Sequence, residues 1–167
     1  MRLKYRAMIE GGMMILAVDP GCIESAYVIL DRNLKPIEFD KIENAWLLPK
    51  LMDDEFAEKF QHFAIEMVAS YGMPVGKEVF ETCVWIGKFD QALFGKNKIR
   101  KFIYRKTDVC MNLCHTTKAK DKNIRQALID RFGPVGTKRN PGWFYGFRAD
   151  IWSAYATGVT YADLYLK

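Results

Sequence analysis

The stretch MMILAVDPGCIESAYVIL, residues 13–30, constrains the fold more than any other part of the chain. Met13 to Val18 is an unbroken apolar run, the pattern of a strand covered on both faces rather than one. It ends on a single acid, Asp19, followed at once by Pro20 and Gly21 and then by a second apolar run from Ala26 to Leu30. The Pro-Gly pair marks a turn, so residues 13–19 and 25–31 read as two strands of one sheet. A carboxylate buried alone is strongly disfavoured. Asp19 therefore needs company at its strand end.

The rest of the chain supplies elements in an order that limits the architecture. Residues 35–42 (KPIEFDKI) follow the turn DRN as a third strand, close enough in sequence to complete an antiparallel meander. Residues 49–60 read as a polar helix opened by Pro49. Residues 62–68 (HFAIEMV) form a short apolar strand that again carries an acid, Glu66. Residues 76–94 place Val79, Cys83, Ile86 and Leu93 at helical spacing, and residues 98–106 alternate as a strand dense in Lys and Arg. KDKNIRQALIDRFG is punctuated as a helix, with Asp121 to cap it, Gly133 to stop it, and Ile124, Ala127, Leu128 and Phe132 on one face. A Gly/Pro/aromatic loop over 133–148 leads to a last helix with a core stripe of Ile151, Ala154, Tyr155, Gly158, Val159 and Ala162. This order predicts one α/β domain with a mixed sheet over residues 13–167, preceded by an N-terminal extension over residues 1–12.

Three acids stand out by position. Asp19 ends the first strand, Glu66 sits in the fourth, and Asp150 opens the last helix. Pairing of the first and fourth strands would bring Asp19 and Glu66 to one sheet end. Converging carboxylates repel unless a cation neutralises them, and all-oxygen donors suit Mg²⁺ or Mn²⁺. A pair of such ions about 3.5–4 Å apart activates water and stabilises a leaving oxygen in phosphodiester hydrolysis. Each acid also fits a plainer role: Asp19 as a turn residue, Glu66 in a salt bridge with a lysine, and Asp150 as a first-turn acid on its helix dipole.

Charge sharpens the choice of partner. The net charge of +5 is unevenly spread, because residues 96–148 hold 14 Lys or Arg against 3 Asp or Glu. A block that basic in one domain points to a polyanion. The stretches KNKIRKFIYRK (96–106) and GTKRNPGWFYGFR (136–148) interleave cations with aromatics. Lys and Arg there offer sequence-independent phosphate contacts, and Trp143, Phe144, Tyr145 and Phe147 offer stacking on unpaired bases; packing beneath the loop is the competing role for these aromatics. The expected DNA contacts are Lys118, Lys120, Arg125, Lys138, Arg139, Arg148, Arg100, Arg105 and Tyr71. Cys110, Cys114 and His115 lack a fourth zinc ligand and read as free thiols beside an unrelated histidine, and His62 reads as structural. No nucleotide-binding glycine motif occurs, so no nucleotide cofactor is expected. No apolar run reaches the ~20 residues of a membrane span, and no signal peptide pattern opens the chain. A reduced, cytoplasmic protein with no membrane partner is expected.

ILAVDPGCIESAYVIL resembles the first strand pair of the RuvC family of Holliday-junction resolvases, which begins with an Asp-Pro-Gly strand end. FAIEMVASYGMP resembles that family's Ile-Glu strand end, KAKDKNIRQAL its lysine-bearing helix start, and RADIWSAYATGVTYA its C-terminal helix. The order matches across residues 13–165, most like the phage-borne branch. The resemblance implies a ribonuclease-H-like fold with a five-stranded sheet whose first three strands are antiparallel and helices flanking it. It also implies a homodimer, Mg²⁺-dependent nicking of branched DNA, metal ligation by Asp19, Glu66 and Asp150, and Lys122 near the scissile phosphate. The chain departs from the family at Ser153, where a second helix acid is usual, and at Ala69, where bacterial members can carry an aromatic; Tyr71 is the available substitute. Ser153 among the catalytic positions leaves a second outcome open, a catalytically silent branched-DNA-binding protein of the same fold. A sugar-kinase-like phosphotransferase shares the Asp-x-Gly turn but needs a second lobe.

Overall fold

The computed structural model describes residues 13–166, so the expected extension over 1–12 lies outside the described residues. Strands β1 (Ile15–Asp19), β2 (Glu24–Leu30) and β3 (Pro36–Glu43) form the antiparallel meander. They are followed by helix α1 (Asn44–Met52), a single turn α2 (Asp54–Ala57) and strand β4 (His62–Met67). Helix α3 (Lys77–Ala92) and strand β5 (Ile99–Tyr104) come next. A π-helical turn (Arg105–Cys110) runs into α4 (Met111–Cys114), and α5 (Asp121–Phe132) and α6 (Ala149–Tyr165) complete the order. The sheet order is β3-β2-β1-β4-β5, with β4 parallel to both β1 and β5. The expected fold class, an α/β domain with a mixed five-stranded sheet flanked by helices, is the one observed.

Alternation along β1 decides what covers each face. Ile15 and Ala17 join Ala26, Val28, Leu30, Ala64 and Ile103 against Ile151, Ala154, Tyr155 and Val159 of α6. Leu16 and Val18 face the other way, with Phe63 and Ile65, onto Leu47 and Leu51 of α1 and Ile86 and Phe89 of α3. Both faces are thus dry, which is why the apolar run does not alternate with polar residues. α6 lies close to the sheet because Gly158 has no side chain: a Cβ there would sit 2.6 Å from Leu30 Cδ1 and 2.9 Å from Ala17 Cβ.

Two expectations change. The helix expected to open at Pro49 starts at Asn44 and carries Pro49 inside it. Tertiary anchoring outweighs the proline signal, because the Asn44 side chain donates to Gly21 O (2.8 Å) and accepts from Ser25 Oγ (2.6 Å). Asp121 is the first helical residue of α5 rather than its cap, and Lys120 holds the cap position. Its carboxylate is bound to Arg105 instead. The π-helical turn after β5 has no counterpart in the expected order; Asp108 holds its start by accepting from the Tyr104 N–H at 2.7 Å.

Candidate active site

The sheet register builds the site. β1 and β4 run parallel with Val18 opposite Ile65, so the next residues, Asp19 and Glu66, fall at the same level where β1 ends. Asp19 is also opposite Ala26, and Ala26 is opposite Lys41 on β3. Residues at one register level project to one side of the sheet. Lys41, Ala26, Asp19 and Glu66 therefore form a row on the face that α6 covers. Asp150, in the first turn of α6, reaches that row from above: Lys41 Nζ lies 2.6 Å from Asp150 Oδ2 and 3.4 Å from Glu24 Oε2.

The turn after Asp19 is pinned from below. The Gly21 N–H donates to Ser25 Oγ (3.2 Å), which donates to Asn44 Oδ1, and Asn44 returns a hydrogen bond to Gly21 O. A Cβ on Gly21 would stand 2.4 Å from Glu24 O, so only glycine fits there. Ser25 and Asn44 hold the Asp-Pro-Gly turn in place, and neither was singled out from the sequence.

Electrostatics make the site acidic and unsatisfied. Among the described residues the Asp19 carboxylate forms no ion pair, and its pKa is pushed up to about 8, first by burial and then by the charges of Glu66 and Asp150, with Arg105 opposing. Glu66 is shifted in the same direction, chiefly by burial, against the pull of Arg105. Its Oε2 is buried with no hydrogen-bond partner, and Arg105 Nη1 stands 3.6 Å away. The same guanidinium binds Asp121 through Nη2. Lys41 is held above the usual lysine range, first by its hydrogen bond to Asp150.

Donors of this kind fit a divalent cation. They are all oxygen; Asp19 forms no ion pair among the described residues, and Glu66 Oε2 is buried without a hydrogen bond, with Arg105 Nη1 at 3.6 Å. The acids are not gathered into a finished cage: among the described residues no group of three His, Cys, Asp or Glu stands ready to hold an ion. Asp150 is drawn to Lys41 and Glu66 towards Arg105 instead. Asp19, Glu66 and Asp150 thus share one end of the sheet, close enough for their charges to couple.

The other expected site residues fall around this row. Ser153 is half-buried one turn after Asp150 in α6, and its carbonyl accepts from Thr157 Oγ1 at 3.0 Å. Lys122 is exposed in the first turn of α5, beside Asp121. Lys118 and Lys120 are exposed ahead of α5, Lys138 and Arg139 on the 133–148 loop, and Arg148 just before α6. Arg125 lies over the Trp152 ring at 5.1 Å, and Lys106 covers exposed Tyr71 at 3.8 Å. Two of the expected DNA contacts are engaged inside the protein. Arg105 serves Glu66 and Asp121, while Arg100 is on the α3 face, 2.6 Å from Asp90 Oδ1.

The loop aromatics divide. Trp143, Phe144 and Phe147 pack with Phe132, Trp152 and Tyr155, and Trp143 Nε1 donates to Tyr155 Oη at 3.0 Å. Tyr145 remains exposed. Cys110 and Cys114 are free thiols, and His62 Nδ1 lies 2.7 Å from Tyr161 Oη in the core.

No family model matches the chain, and no curated protein matches it in sequence. Solved structures do. Thermus thermophilus RuvC superposes with a TM-score of 0.66 at 12% identity, over 90% of this chain and 93% of that one. The fold is that of RuvC. T. thermophilus RuvC in complex with a Holliday junction substrate superposes with a TM-score of 0.68 at 13% identity, over the same shares of the two chains. Identity this low carries the fold alone. Among the described residues no helix is long and apolar enough to cross a membrane.

Proposed function

We propose that this chain is a structure-selective DNA endonuclease that resolves four-way junctions by metal-dependent phosphodiester hydrolysis. The observation that carries the reading is the convergence of Asp19, Glu66 and Asp150 at one sheet end, the deepest of them without a counter-ion. The RuvC fold around them and a Holliday junction bound to the neighbouring RuvC structure support a branched-DNA substrate.

The division of labour follows from the elements. Asp19 and Glu66, fixed on adjacent strands, would hold Mg²⁺ or Mn²⁺ from the sheet side, and Asp150 from α6. Two such ions, when bound, supply the charge that activates water and stabilises the leaving oxygen. Lys122, exposed at the start of α5, lies free to meet the scissile phosphate. Lys118, Lys120, Lys138, Arg139 and Arg148 are exposed and take backbone phosphates without reading sequence. Tyr71, on the loop after β4, would stack on a junction base once Lys106 leaves its ring. Paired symmetric nicks require two such sites, so the active form is a homodimer.

The test is a gel assay on an end-labelled immobile four-way junction and a matched linear duplex, in EDTA and in Mg²⁺. Selective junction binding in EDTA and paired nicks in Mg²⁺ are expected. No preference for the junction would overturn the function and leave the fold. A second reading, a junction-binding protein without cleavage, is favoured by Ser153. Ser153→Asp separates the two: it creates cleavage in a crippled site, and junction affinity in EDTA stays within about threefold, as suits a change away from the phosphate contacts.

A further inference from the structure

Lys41 is a charged side chain at this site that the proposed chemistry does not use. It stands on β3, an edge strand, at the register level of Asp19. Its ammonium is shared between Asp150 at 2.6 Å and Glu24 at 3.4 Å. All three side chains are open to solvent, at 39%, 44% and 48% exposure. Arg105 differs: it is more deeply set, and Asp121 ties it down from the far side. One of the site's two resident cations is therefore pinned, and the other rests on a long flexible stem at the rim.

An ammonium and a metal ion compete for the same lone pairs of Asp150. A divalent cation on Asp150 Oδ2 would displace Lys41, whose remaining carboxylate partner, Glu24, is the more distant one at 3.4 Å. The freed ammonium then lies at the edge of the acid row, on the side of exposed Arg148, the residue two places before Asp150. Under the proposed function, exposed Arg148 takes a backbone phosphate at this rim.

We propose that Lys41 is a switched phosphate contact: it is parked on Asp150 while no divalent cation is bound and is released onto a DNA phosphate when a divalent cation takes Asp150. Cation and DNA then favour each other's binding through one ammonium, and the coupling is reciprocal. The inference rests on the reading that Asp19, Glu66 and Asp150 hold a cation.

The experiment uses the full chain and its Lys41→Met and Lys41→Arg variants. Mn²⁺ binding is measured by calorimetry without DNA, and junction affinity by fluorescence anisotropy across a salt series, in EDTA and in Ca²⁺. Lys41→Met is expected to bind Mn²⁺ about two- to fivefold more tightly, the range set by losing one exposed ion pair. In Ca²⁺ its junction binding should lose about one unit of salt slope, the mark of one phosphate contact, and in EDTA the slope should not change. Lys41→Arg, which keeps the charge, should stay near the wild-type values in both assays. Unchanged or weaker Mn²⁺ binding by Lys41→Met overturns the proposal, because Lys41 then does not compete for Asp150. An equal loss of salt slope in EDTA and Ca²⁺ also overturns it, since Lys41 would be a constant phosphate contact. If the wild type binds no Mn²⁺, the metal-dependent function fails first and takes this inference with it.

Discussion

At the scale of single residues, Asp19 sets the site apart from an ordinary strand end. Its carboxylate ionises with difficulty because it is buried and faces Glu66 and Asp150. The folded chain therefore holds a proton there that the unfolded chain releases at the ordinary value of 3.8. Where the folded state binds more protons, stability falls as pH rises. Without metal, the contribution of Asp19 is fully present below about pH 4 and is lost as the pH climbs to about 8. The loss is on the order of a few kcal/mol, and Glu66 adds to it with the same sign. Urea unfolding in EDTA should show the wild type less stable near pH 9 than near pH 5. Asp19→Asn should flatten that slope and be the more stable protein near pH 9; an equal slope in both proteins would contradict the uncompensated acid. Asp19 and Glu66 were legible in the sequence because an acid that stops an apolar strand is rare enough to need a reason. Lys41 was not, because its ion pair joins β3 to α6 and leaves no local pattern. Arg105 was legible as a charge but not in its direction: composition counts a cation and does not tell whether it faces solvent or Glu66.

At the scale of elements, periodicity carried most of the reading, and its failures have one cause. β1 to β5, α3, α5 and α6 lie within a few residues of where alternation and helical spacing put them. The misplaced start of α1 depends on contacts from a distant segment, Gly21 and Ser25, and the unforeseen π-helical turn on the Asp108 carboxylate accepting from the Tyr104 N–H. The 133–148 loop is similar: its aromatics have the composition of a stacking surface, yet Trp143, Phe144 and Phe147 fill the space beside Phe132 and Tyr155. A close element contact rests on Gly158, where α6 crosses β1 and β2. Gly158→Ala should gain some helix propensity, but its methyl group would meet Leu30 and Ala17 well inside contact distance. Overpacking of this kind costs about 1–3 kcal/mol. The expected result is a net loss of about 1–2 kcal/mol in urea unfolding, after the propensity gain of somewhat under 1 kcal/mol. Because α6 carries Asp150, the same variant should weaken Mn²⁺ binding as well.

At the scale of the whole molecule, the acid row and the exposed apolar side chains of α3 lie on opposite faces of the sheet. The acid row lies on the α6 face of the sheet, and α3 covers the opposite face. α3 exposes Phe80 and Val84 at 61% and 57%, and α1 exposes Trp46 and Met52 at 69% and 59%. Val84 and Met52 line one groove of about 670 Å³ between these helices, with Leu48 and Ala92 at its floor. A second copy docked there would cover Val84 and Met52 and leave the acid row, on the opposite face of the sheet, uncovered. Val84→Glu tests this directly. The position is exposed, so the change should alter unfolding stability by no more than about 0.5 kcal/mol. A glutamate in an apolar contact with its own symmetry mate brings two like charges into a desolvated interface. Sedimentation velocity should give a dimer for the wild type and a monomer for Val84→Glu. On an end-labelled junction the variant should then leave single nicks where the wild type leaves pairs. A wild type that stays monomeric on its DNA would rule out paired nicking by this surface, and the acid row would then have to cut one strand at a time.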